Sequence, residues 1–549
     1  MSAGVYSIHD LIRGKSWHID VFLSVLLFYY LALLQPCMPD GDGLSHAARA
    51  IYQGFLEGMY PKHLIYAMVL RIVYLVVETF GLRKYTIEAL SLTSGLAAIG
   101  IFLLLVRIIF AAFIKNRLVL YACAMGVILS FGVMSRASTI EAYALSLLMD
   151  VALVAVCFTV GFNKHWHGVA VGILYVVSVG LHVTNVLLVP FIVVIIIYRA
   201  GYGWVRITLM WAGMTFLLGM TILLSLLLIG KGGLLWPPAL TQFLPTADVQ
   251  PPLSLPGRLG RVVYGFARTI AWLEPFSDLS LAFALGYAIA MLATIAVVLY
   301  MAWHGLLRCL AKYQQLMLML ALVSLPFIAM GLYYFPSDPE RWLFLLPVFW
   351  LLVGLVWSEY APSEEALLNK SRSSILLVFM VLVLGLYNGL YKLLPETFEN
   401  RQLSGLKELS MITTPMDLVI TPAGITGRIY EFFLGKQLEL QNITLTSLVA
   451  QYQADQNAME TYLRNTIVRE LQRGRLIYVH NVINEGHIKG SDYPWAHFTE
   501  FDYGPETFIA VLREFGPSVV ISTNQQHTGT YRLRLEKPHT VDSHFLGGN

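Results

Sequence analysis

Long apolar stretches alternate with short polar ones along most of this chain. Runs long enough to cross about 30 Å of hydrocarbon begin near Val21, Glu88, Leu118, Ala142, Gly168, Asn185, Ile207, Leu279, Leu316, Trp342 and Ile375. The pattern predicts an α-helical polytopic membrane protein with about eleven transmembrane helices. One apolar segment, Pro61 to Phe80, carries Arg71 in its middle and Glu78 near its end. An interfacial helix tolerates both charges better than a lipid-facing span does. Placed on the outer surface, that segment puts the basic clusters at every second loop: Arg13 and Lys15, Arg107 to Arg117, Lys164, Arg199 and Arg206, Arg308 and Lys312, Lys370 and Arg372. Basic loops mark the cytoplasmic side. The N-terminus is therefore expected in the cytoplasm. The outer face then gathers residues 40–85, 135–141, 182–185, 231–278 and 333–341, and everything after Lys392.

Beyond residue 393 the pattern changes. Asp417 to Thr421, Leu438 to Ile443, Arg475 to His480 and Ser518 to Ser522 read as strands. Ala458 to Arg473 reads as a helix ending at Gly474, with a second helix near Pro505 to Phe515. Such alternation predicts a small α/β domain over 394–549, extracytoplasmic, following a membrane domain over 1–393 whose interfacial helices fall at about 43–80. Gly424-Ile425-Thr426-Gly427 after the first strand could approach a phosphate, but a loop is the plainer reading of a lone glycine pair. There is no internal repeat.

Composition supports the membrane class. The 549 residues are 57% hydrophobic and only 13% charged, with a mean hydropathy of +0.65; soluble domains carry about 25% charge. A net charge of +3 gives no reason to expect a nucleic-acid partner. Cys37, Cys123, Cys157 and Cys309 lie singly in or beside apolar runs, without metal or disulfide spacing. Arg13 and Lys15 precede the first run, and no small-residue cleavage site follows, so the first span is read as uncleaved.

Polar groups concentrate on the outer face. The first outer loop supplies Asp40, Asp42 and His46, then Lys62 and His63; later ones supply Arg136, Glu141 and Tyr143, then His182 and Asn185, then Tyr333, Asp338, Glu340 and Arg341. Carboxylates at headgroup depth are costly unless they face a cavity or a polar interface. One can act as general base on a hydroxyl, while Arg or Lys neutralises a phosphate. Each residue also has a plainer reading. Arg136, Arg341, Lys62 and His63 could be interfacial anchors. Glu141 could be an acid at a helix start, and Asp40, Asp42, Asp338, His182 and Asn185 could be turn residues.

Three elements carry a resemblance to a known superfamily: Gly41-Asp42-Gly43, Ser135-Arg136-Ala137-Ser138-Thr139-Ile140-Glu141-Ala142-Tyr143, and Gly180-Leu181-His182-Val183-Thr184-Asn185. In order and spacing they resemble the GT-C superfamily of polytopic glycosyltransferases. The closest likeness is to the branch containing the transmembrane O-mannosyltransferase of plexin and receptor ectodomains and its bacterial relatives. The segment Pro336 to Pro347 is similar to that superfamily's late outer loop. The chain departs from the branch at Arg136, where a Gln is usual, at Leu44-Ser45, and at Met59 to His63. The resemblance covers roughly residues 15 to 350.

It implies inverting transfer of a sugar from a polyprenyl-phosphate donor to a protein, lipid or glycan acceptor on the outer face of a membrane. The absence of a cysteine framework in the outer domain points to a bacterial inner membrane rather than the ER. Asp42 would be the base, with Asp40 as its alternate and Glu141 beside them. Arg136, Arg341 and Lys62 would hold the donor phosphate. His46, His63, His182, Asn185, Tyr143 and Asp338 would position the acceptor. No cofactor is expected with certainty; a divalent cation, Mg or Mn, would use Asp40, Asp42 and Glu141. The rival readings are a transporter or flippase of an amphipathic lipid or lipid-linked sugar, and a binding scaffold without activity.

Overall fold

The computed structural model describes residues 17–35, 41–52, 63–159, 166–228, 255–273, 307–333, 339–360, 367–394, 416–421, 441–445, 455–480, 506–522 and 529–534, with a few single positions between them. The chain divides into two compact units, one of residues 1–245 and 252–398, the other of residues 246–251 and 399–549.

The first unit is helical. Its elements are α1 (Trp17–Leu33), α2 (Gly41–Tyr52), α3 (Tyr66–Thr79), α4 (Thr86–Leu104), α5 (Arg117–Leu129), α6 (Phe131–Ala137), α7 (Ala142–Thr159), α8 (Trp166–Leu181), α9 (Val189–Ala200), α10 (Trp204–Leu228), α11 (Leu255–Ile270), α12 (Gln314–Tyr333), α13 (Leu346–Tyr360) and α14 (Leu367–Leu386). Among the described residues six helical stretches are long and apolar enough to cross a membrane, or seven if the bent pair α5 and α6 is one span; α1 and α8 are shorter apolar helices. Two expected spans, near Asn185 and Ile207, fall in the single stretch Val183–Ile222, where α9 and α10 are parted at Gly201, whose φ of +54° suits glycine. The expected span near Leu279 lies outside the described residues.

The segment expected to lie flat forms α3, only 14 residues long. Its Arg71 donates to Ala50 O at 2.8 Å and Ile51 O at 2.7 Å, the last carbonyls of α2. A helix C-terminus offers unpaired carbonyls and partial negative charge. The mid-helix arginine therefore ties α2 and α3 into a hairpin.

The α5–α6 pair is a helix broken by 62°. Ser130 takes an extended conformation at the break, which frees carbonyls that an apolar setting would leave costly. Asn388 Nδ2 supplies Leu129 O at 2.9 Å and Ile270 O at 2.9 Å, and its Oδ1 accepts from Trp272 N at 3.0 Å. Ser130 Oγ donates to Gly126 O at 2.6 Å and accepts from Trp350 Nε1 at 3.1 Å. A Cβ on Gly126 would lie 2.6 Å from the Trp350 ring, so only glycine admits that close packing. The break carries α6 away from the line of α5, with Arg136 in its last turn.

The second unit contains a five-stranded sheet ordered β2-β1-β3-β5-β4, formed by β1 (Leu418–Thr421), β2 (Gln441–Thr444), β3 (Ile477–His480), β4 (Ser518–Ser522) and β5 (Gly529–Arg532). β1 pairs in parallel with β2 and β3; β5 is antiparallel to β3 and β4. Helix α15 (Gln456–Gln472) is capped by Asp455, whose side chain accepts from Ala458 N at 3.1 Å. It buries Met459, Leu463 and Ile467, one helical face, in the same core as Ile477 and Val479. Arg464 grips Glu514, just past α16 (Glu506–Arg513), through two bonds of 2.8 and 2.7 Å. Strand β5 was not expected: Gly-Thr-Tyr-Arg has too few apolar positions to show alternation. The Gly424 to Gly427 loop lies outside the described residues.

Candidate functional site

The site is assembled around the last turn of α8. Ile65 N donates to Gly180 O at 2.8 Å, and His63 Nδ1 donates to Leu181 O at 3.0 Å. The chain entering α3 is thereby strapped across the end of α8. A Cβ at position 180 would come within 2.3 Å of Ile65, which explains the glycine of the Gly180-Leu181-His182 element.

Rings from five segments meet there. His63 lies 5.2 Å from His46 of α2 and 5.0 Å from His182, between ring centroids. Tyr143, in the first turn of α7, is 4.9 Å from His182 and 6.1 Å from His63. Tyr66 stands 4.9 Å from His46, edge to face, and Phe344 is 6.1 Å from His182. His46, His63 and His182 are all buried. Burial, and then the charges of His63 and Arg49, hold the basicity of His46 well below the ordinary histidine range. His46 Nδ1 is buried with no hydrogen-bond partner among the described residues.

Tyr143 links this cluster to an ionic one. The Arg136 guanidinium lies 6.0 Å from the Tyr143 ring centroid. It pairs with Glu141 Oε1 at 3.3 Å and with Glu340 Oε1. One cation thus faces two carboxylates. Glu141 is almost fully buried (3% side-chain exposure), whereas Glu340 is more open at 19%. Ser94 Oγ of α4 donates to Glu141 O at 3.2 Å and fixes the start of α7.

The expected site residues divide into three groups. His46, His63, His182, Tyr143, Arg136 and Glu141 are brought together. Asn185 is fully buried, and its amide is spent on Ser146 Oγ at 2.7 Å and on Ser178 Oγ at 2.9 Å and O at 3.1 Å. Its Nδ2 ties helices together beneath the cluster, while its Oδ1 is buried with no hydrogen-bond partner among the described residues. Asp40, Lys62 and Asp338, and the side chains of Asp42 and Arg341, lie outside the described residues; the backbone of Asp42 is in the first turn of α2, one turn before His46. Among the described residues no three His, Cys, Asp or Glu side chains are placed to hold a metal. Sequence reasoning placed Glu340 on the outer face but gave it no role, and it passed over Tyr66; neither has a local signal, since both earn their position through distant partners.

Below the cluster an apolar groove runs between α7, α9, α12 and α13, lined by Leu147, Val154, Phe158, Phe191, Phe327 and Phe344 among others. From Leu147 to Phe158 it follows α7 for about 16 Å, at 1.5 Å per residue. Asp150 is the one polar side chain among its described lining residues. It accepts from Ser178 Oγ, and its Oδ2 has no hydrogen-bond partner among the described residues.

No protein-family model matches the sequence, and no curated protein matches it. Among solved structures, the chain is similar to ArnT from Cupriavidus metallidurans bound to undecaprenyl phosphate, with a TM-score of 0.55 at 12% identity, over 94% of this chain and 98% of that one. The apo state of ArnT gives 0.52 at 13% identity, over 94% and 98%. The chain has the ArnT fold. At this identity the likeness is one of fold. The fold and the apolar helices make this a multi-pass integral membrane protein.

Proposed function

We propose that this protein is a membrane glycosyltransferase that moves a sugar from a polyprenyl-phosphate donor to an acceptor hydroxyl on the outer face of the membrane. The observation that carries the reading is the convergence of Arg136, Glu141, Glu340, Tyr143 and three histidines at one end of an ArnT-like helical unit, above an apolar groove. The ArnT structure bound to undecaprenyl phosphate supports a donor of that lipid class. In this reading the groove takes isoprenoid units of the tail, whose burial is favourable at about 25 cal/mol per Å².

Asp42, at the head of α2, is the general base that takes the acceptor proton, with Asp40 as its alternate. Arg136 holds the donor phosphate, joined by Arg341 and Lys62, and stabilises the charge that grows on it as the sugar departs. Glu340 occupies part of Arg136 and gives way to the phosphate, being the more exposed of its two carboxylates. Inversion follows if the acceptor attacks the anomeric carbon from the face opposite the phosphate. A divalent ion would draw on Asp40, Asp42 and Glu141, but Glu141 is already neutralised by Arg136, so no step is assigned to one. The compartment is a bacterial inner membrane, with the N-terminus cytoplasmic and the α/β unit outside.

Mass spectrometry of lipid copurifying with the extracted protein tests the proposal. A polyprenyl-phosphate hexose is the expected result. Bulk phospholipid alone, together with lipid movement across vesicles, would favour a flippase.

A further inference from the structure

Four polar side chains meet in the apolar interior beneath the ring cluster: Ser146 and Asp150 on α7, Ser178 on α8, and Asn185 in the short turn after His182. All are buried, none above 6% exposure. Ser178 Oγ donates to Asp150 Oδ1 and accepts from Asn185 Nδ2 at 2.9 Å. Asn185 Nδ2 also reaches Ser146 Oγ at 2.7 Å and Ser178 O at 3.1 Å. Ser178 and Asn185 thereby spend their side-chain donors, and two acceptors are left over. Asp150 Oδ2 and Asn185 Oδ1 are buried with no hydrogen-bond partner among the described residues. Orphaned oxygens, one of them on a carboxyl group, are costly inside a membrane protein.

We propose that this cluster binds a small monovalent cation, sodium, through Asp150 Oδ2 and Asn185 Oδ1, with the Ser146 hydroxyl and water filling out its shell. The inference is independent of the transfer reading above. Hard cations take oxygen ligands, carboxylate and amide carbonyl among them. Interrupted membrane helices supply such sites for sodium, and here α8 ends at Leu181 before the short helical turn Val183–Leu188 that carries Asn185.

Charge and space select the ion. Asp150 supplies one negative charge and makes no ion pair among the described residues; Ser146, Ser178 and Asn185 are neutral. One positive charge therefore balances the site. A divalent ion would carry excess charge into an apolar setting, and among the described residues no three His, Cys, Asp or Glu side chains are placed to hold one. A proton on Asp150 would cancel the charge at one group only, whereas a cation answers Asp150 Oδ2 and Asn185 Oδ1 together. The close burial of all four side chains favours sodium over the larger potassium. Asp150 also lines the apolar groove, so the ion neutralises that wall and lets an apolar chain lie against it. Asn185 N donates to His182 O at 3.1 Å, which sets the pocket directly beneath the polar end of the unit, the side from which an aqueous ion arrives.

Thermal unfolding of the full-length protein in lipid nanodiscs tests the site without any substrate. Sodium, potassium and choline chloride are compared at matched ionic strength. The melting temperature should rise with sodium, by roughly 2 °C per tenfold increase once the site fills, less with potassium and not with choline. Asp150→Asn, a neutral side chain of the same shape, should abolish the sodium response. Asp20→Asn, which removes a carboxylate already paired with Arg107, should keep it. Binding of radioactive sodium should approach one ion per parent chain and be lost in Asp150→Asn. Stability no higher in sodium than in potassium or choline, or a sodium response that survives Asp150→Asn, overturns the site. Should Asp150→Asn not fold, the salt series and ion binding of the parent still decide.

Discussion

Two buried ion pairs sit at different points along one helical path, and they are built differently. Ser94 of α4 anchors Glu141, the partner of Arg136. Thirteen residues further on (94 to 107), about 20 Å at 1.5 Å per residue, Arg107 meets Asp20 of α1, which also accepts from the Tyr121 hydroxyl. Among the described residues, Arg107 pairs with Asp20, which a phenol also reaches. Arg136 pairs with Glu141 and with Glu340, the second on a separate, more exposed turn. The Arg107 pair has what a structural tie needs. In the proposed function the exposed Glu340 is the partner that gives way to phosphate at Arg136.

Replacing each arginine by an apolar residue should separate the two ends. Arg136→Met should lower transfer about 100-fold or more, through lost stabilisation of the leaving phosphate, as measured by release of polyprenyl phosphate. Arg107→Met should instead cost about 3–5 kcal/mol of stability by leaving Asp20 buried and unpaired, with kcat per folded molecule unchanged; thermal unfolding in detergent reads this. Equal effects on both measurements at both ends would erase the distinction.

Acid should also act on the Arg136 end, through His46. Folded His46 resists protonation, so the unfolded chain binds more protons once pH falls below about 6.5. The stabilisation from its neutral burial is fully present above that pH and is lost as pH falls further, by up to about 1.4 kcal/mol per unit. Hydrogen exchange of α2 should therefore accelerate on mild acidification. Exchange in α2 that ignores pH would contradict the burial argument. The smallest effect is expected of Glu340→Gln. Removing the competing charge should tighten binding of a polyprenyl phosphate by about 1 kcal/mol, roughly fivefold; weaker binding would mean that Glu340 is not a competitor for Arg136.

Much of this was legible in the chain, for physical reasons. Apolar runs announce helices because lipid and core demand the same residues, and Gly474 announces a helix end through its left-handed backbone. Arg71 signalled that α3 was unusual, though its use as a cap on α2 needed coordinates. The break at Ser130 was hidden, because Leu129, Ser130 and Phe131 sit in one continuous apolar run and the compensating Asn388 lies far along the chain. Glu340 was hidden for the same reason: an ion pair across about 200 positions leaves no local pattern. The histidines were each conspicuous, but only the Gly180–Ile65 contact brings them ring to ring. Asn185 was conspicuous as a polar residue in a reversal between spans, but its bonds to Ser146 and Ser178 needed coordinates.

The central claim, that the Arg136 end is a sugar-transfer site whose base is carried at the head of α2, is tested most directly in purified nanodiscs. Protein, a polyprenyl-phosphate sugar and candidate acceptors would be combined, and transfer compared between the parent, Asp42→Asn and the Asp40→Asn/Asp42→Asn double variant. The parent should transfer sugar, and Asp42→Asn should be slower by about 100-fold or more while still folded and lipid-bound. Transfer that persists in the double variant would show that the base lies elsewhere.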